Sequence, residues 1–279
     1  MTVLIKTVNE LKSKLSECNK PLGFIPTMGS LHDGHISLIK VAKDECKTLV
    51  LSNFVNKLQF GQGEDFEKYP RDIESDLKIC EDNKVDIMFV PSHEEIYPNE
   101  EIEIVTLPVE LTDILCGKTR KNHFQGVATV LHRLFNIVNA DFVYFGEKDL
   151  QQLYVVRWLV ANKSFSATVR SCPIIRESNG LACSTRNKYL TKDEKDTAAN
   201  IYKALKLAKG NVRSGIFTPG KATLESLVFL SKIPKLKVEY FEAKSKNDLS
   251  PVSEKKVSGF YFLTAVHLSG IRLIDNIEV

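Results

Sequence analysis

The sequence predicts an α/β protein, with a Rossmann-like, doubly wound parallel sheet followed by a second, smaller α+β domain. Through the first ~170 residues, short apolar runs alternate with longer amphipathic stretches, which is the pattern of βαβ units on a parallel sheet. After Cys172-Pro173 this alternation ends, and a polar segment, helical stretches and strand-like runs follow. We therefore expect one domain over residues 1–174 and a smaller C-terminal domain over residues 175–279.

Short apolar runs of strand length are predicted to form the sheet. They are Leu22–Ile25, Thr48–Phe54, Val85–Val90, Asp141–Phe145 and Ala167–Cys172. Amphipathic helices, with apolar residues near three- and four-residue spacing, are predicted between them. They are His35–Cys46, Asp72–Asn83, Gly126–Val138 and Asp149–Asn162. Because such sheets bind ligands at the carboxyl ends of their strands, chemistry is expected in the loops after Ile25, Phe54 and Phe145.

The second domain is predicted to open with a hairpin at Asn179-Gly180, a dipeptide that favours tight turns. Helical patterns and strand-like runs follow it. The helices are expected at about Thr191–Lys209 and Thr218–Lys232, and the strands at Leu236–Glu242, Phe260–Ala265 and Ile271–Asp275. The charged stretch Ser245–Lys256 is expected to form a surface loop.

The composition excludes several classes of function. A net charge of +3 on 38 basic and 35 acidic residues, without a long basic block, gives no support to nucleic-acid binding. The six cysteines are scattered without a C-x-x-C pair, so neither a disulfide framework nor a zinc site is indicated. No stretch approaches the ~20 apolar residues of a membrane span, and the N-terminus has no signal-peptide core. We therefore expect a cytoplasmic protein with no membrane or nucleic-acid partner.

The strongest chemical signal is the run from Pro26 to His35, which joins the first predicted strand to the first long helix. His32 and His35 lie where backbone amides and the positive end of a helix favour an anion. Imidazole N–H groups could bond the phosphates of ATP, and Gly29 and Gly34 would let a nucleotide lie against the backbone. The alternative is that the two histidines are a helix cap and a surface residue.

The spacing His32-Asp33-Gly34-His35 resembles the HIGH motif of the nucleotidyl-transferring superfamily, and the longer run resembles the pantothenate synthetase family. Further blocks similar to that family recur in its order along the chain. They include Phe54-Val55-Asn56, Gln59-Phe60-Gly61, Tyr69-Pro70-Arg71, His123-Phe124-Gln125-Gly126-Val127, Phe145-Gly146-Glu147-Lys148-Asp149 and Cys183-Ser184-Thr185-Arg186-Asn187. The resemblance implies ATP-dependent coupling of pantoate to β-alanine through a pantoyl-adenylate, with release of AMP and pyrophosphate. It also implies Mg²⁺ as a cofactor, a homodimer, a first domain that binds nucleotide and pantoate, and a second domain that acts as a lid.

The resemblance also implies roles for individual residues. Attack on the α-phosphorus accumulates negative charge, which calls for preorganised donors and cations. The predicted catalytic residues are His32, His35, Lys148 and Arg186. The predicted ATP contacts are Met28, Gly29, Ser30, Leu31, His32, Asp33, Gly34, His35, Gly146, Glu147, Lys148, Asp149, Ile175, Cys183, Ser184, Thr185 and Arg186. Pantoate is expected at Gln59 and Gln152, and β-alanine at Gln59 and Asn56.

Purely structural explanations compete with some of these functional roles. Gln59 and Gln152 could be merely exposed on a loop and a helix, and Asp149 could be a helix N-cap. No metal ligand is assigned with certainty. Asp76 is a weak candidate for placing Mg²⁺, because a helix with acidic residues at 72, 74 and 76 more often presents a solvated face.

Two departures from the family concern loops near the expected site. Lys57 follows Asn56 where the family usually has proline, and Lys121-Asn122 stands where Pro-Gly or a similar pair is usual. Losing both prolines should loosen these loops.

Two other functions remain open. A related HIGH-motif nucleotidyltransferase acting on a phosphorylated acceptor would need basic residues where Gln59 and Gln152 stand. A non-catalytic nucleotide- or RNA-binding module would be expected to have lost His35, Lys148 or Arg186, and all three are present.

Overall fold

The computed structural model describes residues 1–254 and 259–279. The chain divides into two compact units, Met1–Pro173 and Ile174–Val279. The expected boundary after residue 174 lies one residue beyond this division. The roles expected for the two domains stay predictions, and the end of the expected loop at 245–256 lies outside the described residues.

The first unit is built on a parallel sheet. Its strands are Val3–Ile5 (β1), Leu22–Thr27 (β2), Thr48–Asn53 (β3), Ile87–Phe89 (β4), Phe142–Gly146 (β5) and Thr168–Cys172 (β6). The strand order is β1-β4-β3-β2-β5-β6, and each neighbouring pair is parallel. The order reverses at β2, which has β3 on one side and β5 on the other. This is the topological switch point at which doubly wound sheets bind ligands, and the predicted fold class is confirmed.

Helices connect these strands. They are Val8–Ser16 (α1), Asp33–Glu45 (α2), Ile73–Asp82 (α3), His93–Ile96 (α4), Val109–Thr112 (α5), Leu115–Thr119 (α6), His123–Val138 (α7) and Leu150–Asn162 (α8). Every residue of β3 is buried, which explains why Leu49, Val50 and Leu51 are consecutive apolar residues rather than alternating with polar ones. On one face of the sheet, Leu38 and Ile39 of α2 belong to a buried cluster with Ile25 and Leu51.

The second unit contains an antiparallel sheet of Leu236–Ser245 (β7), Phe260–Leu268 (β8) and Ile271–Glu278 (β9), in the order β7-β8-β9. Its helices are Lys192–Ala198 (α9), Asn200–Arg213 (α10) and Pro219–Ser231 (α11). Leu205 of α10, Phe241 of β7 and Phe262 of β8 lie in its buried core. The predicted smaller α+β domain is therefore confirmed.

The elements differ from the sequence-based expectation in several places; for example, the short helices α4, α5 and α6 were not expected. β1 and α1 were not expected, because β1 has only three residues and two of them are exposed. Helix α7 begins at His123 rather than Gly126. The single helix expected over 191–209 is two helices that meet at Ala199, whose N–H bonds to the carbonyls of both Lys195 and Thr197. Within the described residues, none of the helices has the length and apolar character that crossing a membrane requires.

Candidate active site

The two histidines after β2 cap helix α2 reciprocally. Nδ1 of His32 accepts the Gly34 N–H at 3.1 Å, and Nδ1 of His35 accepts the His32 N–H at 3.3 Å. The ring centroids are 4.1 Å apart, and both residues are partly buried. Because Nδ1 of each neutral ring is an acceptor here, the ring proton lies on Nε2. The cap explanation for His32 is confirmed, and the same bonds select the tautomer with the proton on Nε2 in both rings.

Asp76 anchors the loop that carries these histidines. Its carboxylate, 1% exposed, accepts the N–H groups of Ser30 at 2.8 Å and Leu31 at 2.7 Å, and Nδ2 of Asn53 at 2.8 Å. The expectation of a solvated face is wrong for Asp76, although it holds for Asp72 and Glu74, which are exposed. The reason is that Asp76 satisfies buried donors of the β2–α2 loop, and a buried carboxylate with such donors is stable.

The loop is also held by close packing against β3. Gly29 has a φ of 78°, and a Cβ there would lie 2.3 Å from Asn53 Oδ1. Ser30 and Leu31 are buried, and their N–H groups are already bonded to Asp76. A nucleotide would therefore contact this loop through groups other than those two amides.

The loop after β3 forms a 3-10 turn, Lys57–Gln59, in which Gln59 is buried, as is Asn56 just before the turn. Asn56 donates from Nδ2 to Gln59 Oε1 at 3.2 Å and to the Gly126 carbonyl at 3.0 Å, and its Oδ1 accepts the Tyr97 hydroxyl at 3.0 Å. Gln59 is 9% exposed, and its Nε2 lies 2.9 Å from Met28 Sδ. The explanation of Gln59 as an exposed loop residue is wrong, because the turn folds it against the β2–α2 loop.

The adjacent glutamines on α8 differ in environment. Gln151 is buried and bonds from Nε2 to the carbonyls of Leu111 and Ile114, while its Oε1 accepts the Cys116 N–H. Gln151 is therefore a structural residue, and Gln152 is the partly buried neighbour. The sequence alone, with two consecutive glutamines, could not separate these roles.

Lys148 follows β5, on the other side of the switch point. β2 and β5 are parallel with Gly23 opposite Phe142, so their carboxyl ends lie at one edge of the sheet. Lys148 lies in the 3-10 turn Glu147–Asp149, and its Nζ is 3.4 Å from Asp149 Oδ2. Asp149 occupies the N-cap position of α8, as the alternative expected, but its side chain makes no capping hydrogen bond there.

The remaining predicted ATP contacts belong to the second unit. There the Cys183 N–H donates to the Ile175 carbonyl at 2.9 Å, and Ser184 Oγ accepts the Arg186 N–H at 3.3 Å. Asn187, buried in the same turn, donates to Glu177 Oε1 and to the Ala182 carbonyl. Ile175, Cys183, Ser184, Thr185 and Arg186 are thus grouped on one well-bonded loop of that unit.

A cavity of about 470 Å³ adjoins the 3-10 turn at the carboxyl ends of β3 and β4. Its lining combines apolar walls with basic side chains and consists of Asn53, Phe54, Val55, Lys57, Phe66, Arg71, Ile73, Val90, Pro91 and His93. The residues predicted to bind pantoate, Gln59 and Gln152, are not among these lining residues.

The two family departures fit their local conformations. Asn122 has a φ of 64°, the left-handed region in which glycine is unstrained and asparagine is tolerated. Lys57 is the first residue of the 3-10 turn, and Asn56 before it has φ −84° and ψ 112°. Position 57 would therefore suit proline. The first position of the turn needs no N–H, and the extended backbone of Asn56 is what the residue before a proline favours.

Lys57→Pro is therefore expected to raise the free energy of unfolding by about 0.4–1 kcal/mol, since it restricts the unfolded chain without straining the fold. Urea unfolding of the parent, Lys57→Pro and Lys57→Ala measures this effect and separates it from loss of the charge. A Lys57→Pro protein no more stable than Lys57→Ala would contradict the compatibility of this turn with proline.

The chain is similar to known proteins over almost its whole length. A family model described as pantoate-beta-alanine ligase matches residues 3–278. A pantothenate synthetase of Sulfurihydrogenibium sp. (strain YO3AOP1) is 46% identical over 269 residues, covering 96% of this chain and 95% of that protein. A pantothenate synthetase of Caldicellulosiruptor saccharolyticus is 42% identical, and the match covers 99% of both chains.

Two solved structures are similar in fold as well as in sequence. The pantothenate synthetase of Thermus thermophilus is 39% identical with a TM-score of 0.94, over 99% of both chains. A pantoate-beta-alanine ligase of Francisella tularensis, solved in complex with beta-gamma ATP and beta-alanine, is 32% identical with a TM-score of 0.82. That match covers 99% of this chain and 97% of the other.

Proposed function

Since the chain belongs to the pantoate-beta-alanine ligase family, we propose that it is an enzyme that uses ATP to join pantoate to β-alanine, forming pantothenate. The observation that carries the chemistry is the reciprocal histidine cap at the switch point of the sheet, on the loop whose Met28 contacts the buried amide of Gln59. The match to two pantothenate synthetases covers 96% and 99% of this chain.

The reaction proceeds through an acyl-adenylate. A carboxylate is a poor electrophile, so a pantoate oxygen attacks the α-phosphorus of ATP and pyrophosphate leaves. The amine of β-alanine then attacks the activated acyl carbon, loses a proton, and AMP leaves. His32 and His35 donate from Nε2 to phosphate oxygens, and Lys148 adds positive charge to the same transition state.

Mg²⁺ would enter this site bound to the nucleotide, where it would neutralise charge on the triphosphate. Among residues 1–254 and 259–279, no group of three or more His, Cys, Asp or Glu side chains could hold a metal ion. The Asp76 carboxylate is already bonded to three donors of the loop. No side chain is therefore assigned as a metal ligand, and phosphate oxygens would supply the coordination.

Gln59 and Asn56 are proposed to hold the small substrates, together with Gln152. Oε1 of Gln59 accepts a hydrogen bond from Asn56, which orients the amide. The Gln59 Nε2 is directed at Met28 Sδ, which is a weak acceptor. A hydroxyl or carboxylate oxygen of pantoate would be a better partner for that N–H group. The coupling of Gln59 to Asn56 supports a shared role at β-alanine.

Other parts of the proposal rest on the family resemblance. Arg186, with Cys183, Ser184 and Thr185, is proposed to act on the ATP phosphates. Residues 175–279 are proposed to act as a lid that keeps water from the adenylate. A homodimer and a cytoplasmic location stay predictions.

Purified protein incubated with pantoate, β-alanine, ATP and Mg²⁺ is expected to release AMP and pyrophosphate in equal amounts with pantothenate. Without β-alanine, pyrophosphate should still exchange into ATP when pantoate is present, because the first half-reaction is reversible. Nucleotide products are identified by chromatography. Release of ADP and orthophosphate would rule out the adenylate route and favour an acyl-phosphate.

A further inference from the structure

A chain of charged and polar groups leads to the backbone of Gln59. The Glu64 carboxylate receives two hydrogen bonds from Arg120, Nε to Oε1 and Nη2 to Oε2, each 2.7 Å long. Nη1 of Arg120 lies 2.7 Å from His123 Nε2, and His123 Nδ1 lies 2.7 Å from the Gln59 carbonyl oxygen. Arg120 Nη2 also reaches that carbonyl at 3.4 Å. The side chains of Glu64 and Arg120 are mostly shielded from solvent.

The direction of each bond in this chain follows from the arginine. A guanidinium has no acceptor, so Arg120 donates to Nε2 of His123. The proton of the neutral ring therefore lies on Nδ1, which donates to the Gln59 carbonyl. Burial and then the positive charge of Arg120 lower the pKa of His123 to about 3, so the ring stays neutral. Burial alone would raise the pKa of Glu64, but the Arg120 hydrogen bonds outweigh it and lower the pKa to about 2.

The first turn of α7, which carries His123, also packs closely against the backbone of Leu58 and Gln59. Gly126 lies three residues after His123, so both face the same side of the first turn of α7. A Cβ at Gly126 would lie 2.2 Å from the Leu58 carbonyl oxygen and 2.8 Å from the Gln59 N atom. The Gly126 carbonyl accepts the Asn56 amide at 3.0 Å. The 3-10 turn is thus pressed against α7 at one point and hydrogen-bonded to it at others.

From this geometry we infer that His123, oriented by Arg120 and Glu64, is a positioning residue that presets the Gln59 side chain for pantoate. The inference rests on the proposed role of Gln59 in pantoate binding. Fixing the backbone of Gln59 before the substrate arrives removes an ordering cost from binding. His123 acts through Gln59 in this arrangement and needs no contact with the substrate.

The test compares His123→Leu with His123→Asn in pantoate-dependent pyrophosphate exchange. Leucine removes the donor to the Gln59 carbonyl, whereas asparagine can restore an N–H near the position of Nδ1. A net hydrogen bond is worth about 1 kcal/mol, so His123→Leu should raise the KM for pantoate by roughly five- to tenfold. The KM for ATP should be unchanged, and His123→Asn should recover most of the loss. His132→Leu, on the same helix, is the matched control and should leave both KM values unchanged.

A double-mutant cycle separates positioning from general destabilisation. In a Gln59→Ala background there is no side chain left to position, so adding His123→Leu should not raise the KM for pantoate further. Melting temperatures of all variants are measured alongside. Effects that add in the double variant, an equal rise in the KM for ATP, or no recovery in His123→Asn would each overturn the inference. If the parent itself shows no pantoate-dependent exchange, the proposed function fails and this inference fails with it.

Discussion

His35→Glu is expected to keep the protein folded and to lower the rate of adenylate formation by ~10²-fold or more, the scale of losing a preorganised donor. Glutamate at this position can accept the His32 N–H and complete a capping box, and a negative charge is favourable at a helix N-terminus. It cannot donate to a phosphate and repels one. The variant therefore separates the capping role of His35 from its proposed catalytic role.

The measurement is pantoate-dependent pyrophosphate exchange, with urea unfolding as the check on the fold. Lys148→Ala should show a similar loss of exchange, because it removes positive charge from the opposite side of the switch point. Lys163→Ala, at the exposed end of α8, is the matched control for loss of a lysine. If His35→Glu exchanges at nearly the parent rate, His35 is a cap only and its catalytic assignment is withdrawn.

Asp76→Asn is expected to lower the free energy of unfolding by about 3 kcal/mol, because hydrogen bonds to a buried charge are worth about 1.5–3 kcal/mol each. The carboxylate accepts three donors, and an amide would set an N–H group against at least one of them. Exchange activity should fall as well, because the loop that carries His32 loses its anchor. Asp76 would thus affect activity through the loop and without contacting a substrate.

Glu74→Gln provides the control for this prediction, since it makes the same chemical change at an exposed position of the same helix. Urea unfolding compares the two variants with the parent, and exchange kinetics are measured on the folded fraction. If Asp76→Asn is no less stable than Glu74→Gln, the carboxylate does not anchor the loop. Unchanged kinetics with a large loss of stability would limit its role to folding.

Features that depend on neighbours in the chain were predicted from the sequence. The apolar runs and helical spacings gave the strands and the main helices within a few residues, because local periodicity reflects which face is buried. His32 and His35 lie between the first predicted strand and the first long helix, so their position at a helix start could also be predicted. β1 and α1 were missed, and the helix predicted over 191–209 is broken at Ala199, where the sequence carries no strong signal.

The environments of the glutamines could not be predicted from local sequence patterns. Gln151 and Gln152 are equivalent by composition, and only the packing of α8 against α5 and α6 made one of them structural. Gln59 could be expected on a loop, but its burial depends on Met28 and Asn56 closing around it. Neither outcome follows from the residue type.

What the sequence determined by itself was the fold class, the family and the candidate residues of the site, since these depend on patterns and motifs along the chain. The tertiary structure alone decided how the site is supported. Asp76 bonds to Leu31 across 45 residues, and Arg120 bonds to Glu64 across 56. From its residue type alone, a charged side chain is predicted to be exposed to solvent. Only the fold shows whether buried donors or an opposite charge lie next to it. Burial and pairing over such separations are therefore properties of the folded chain and leave no local pattern in its sequence.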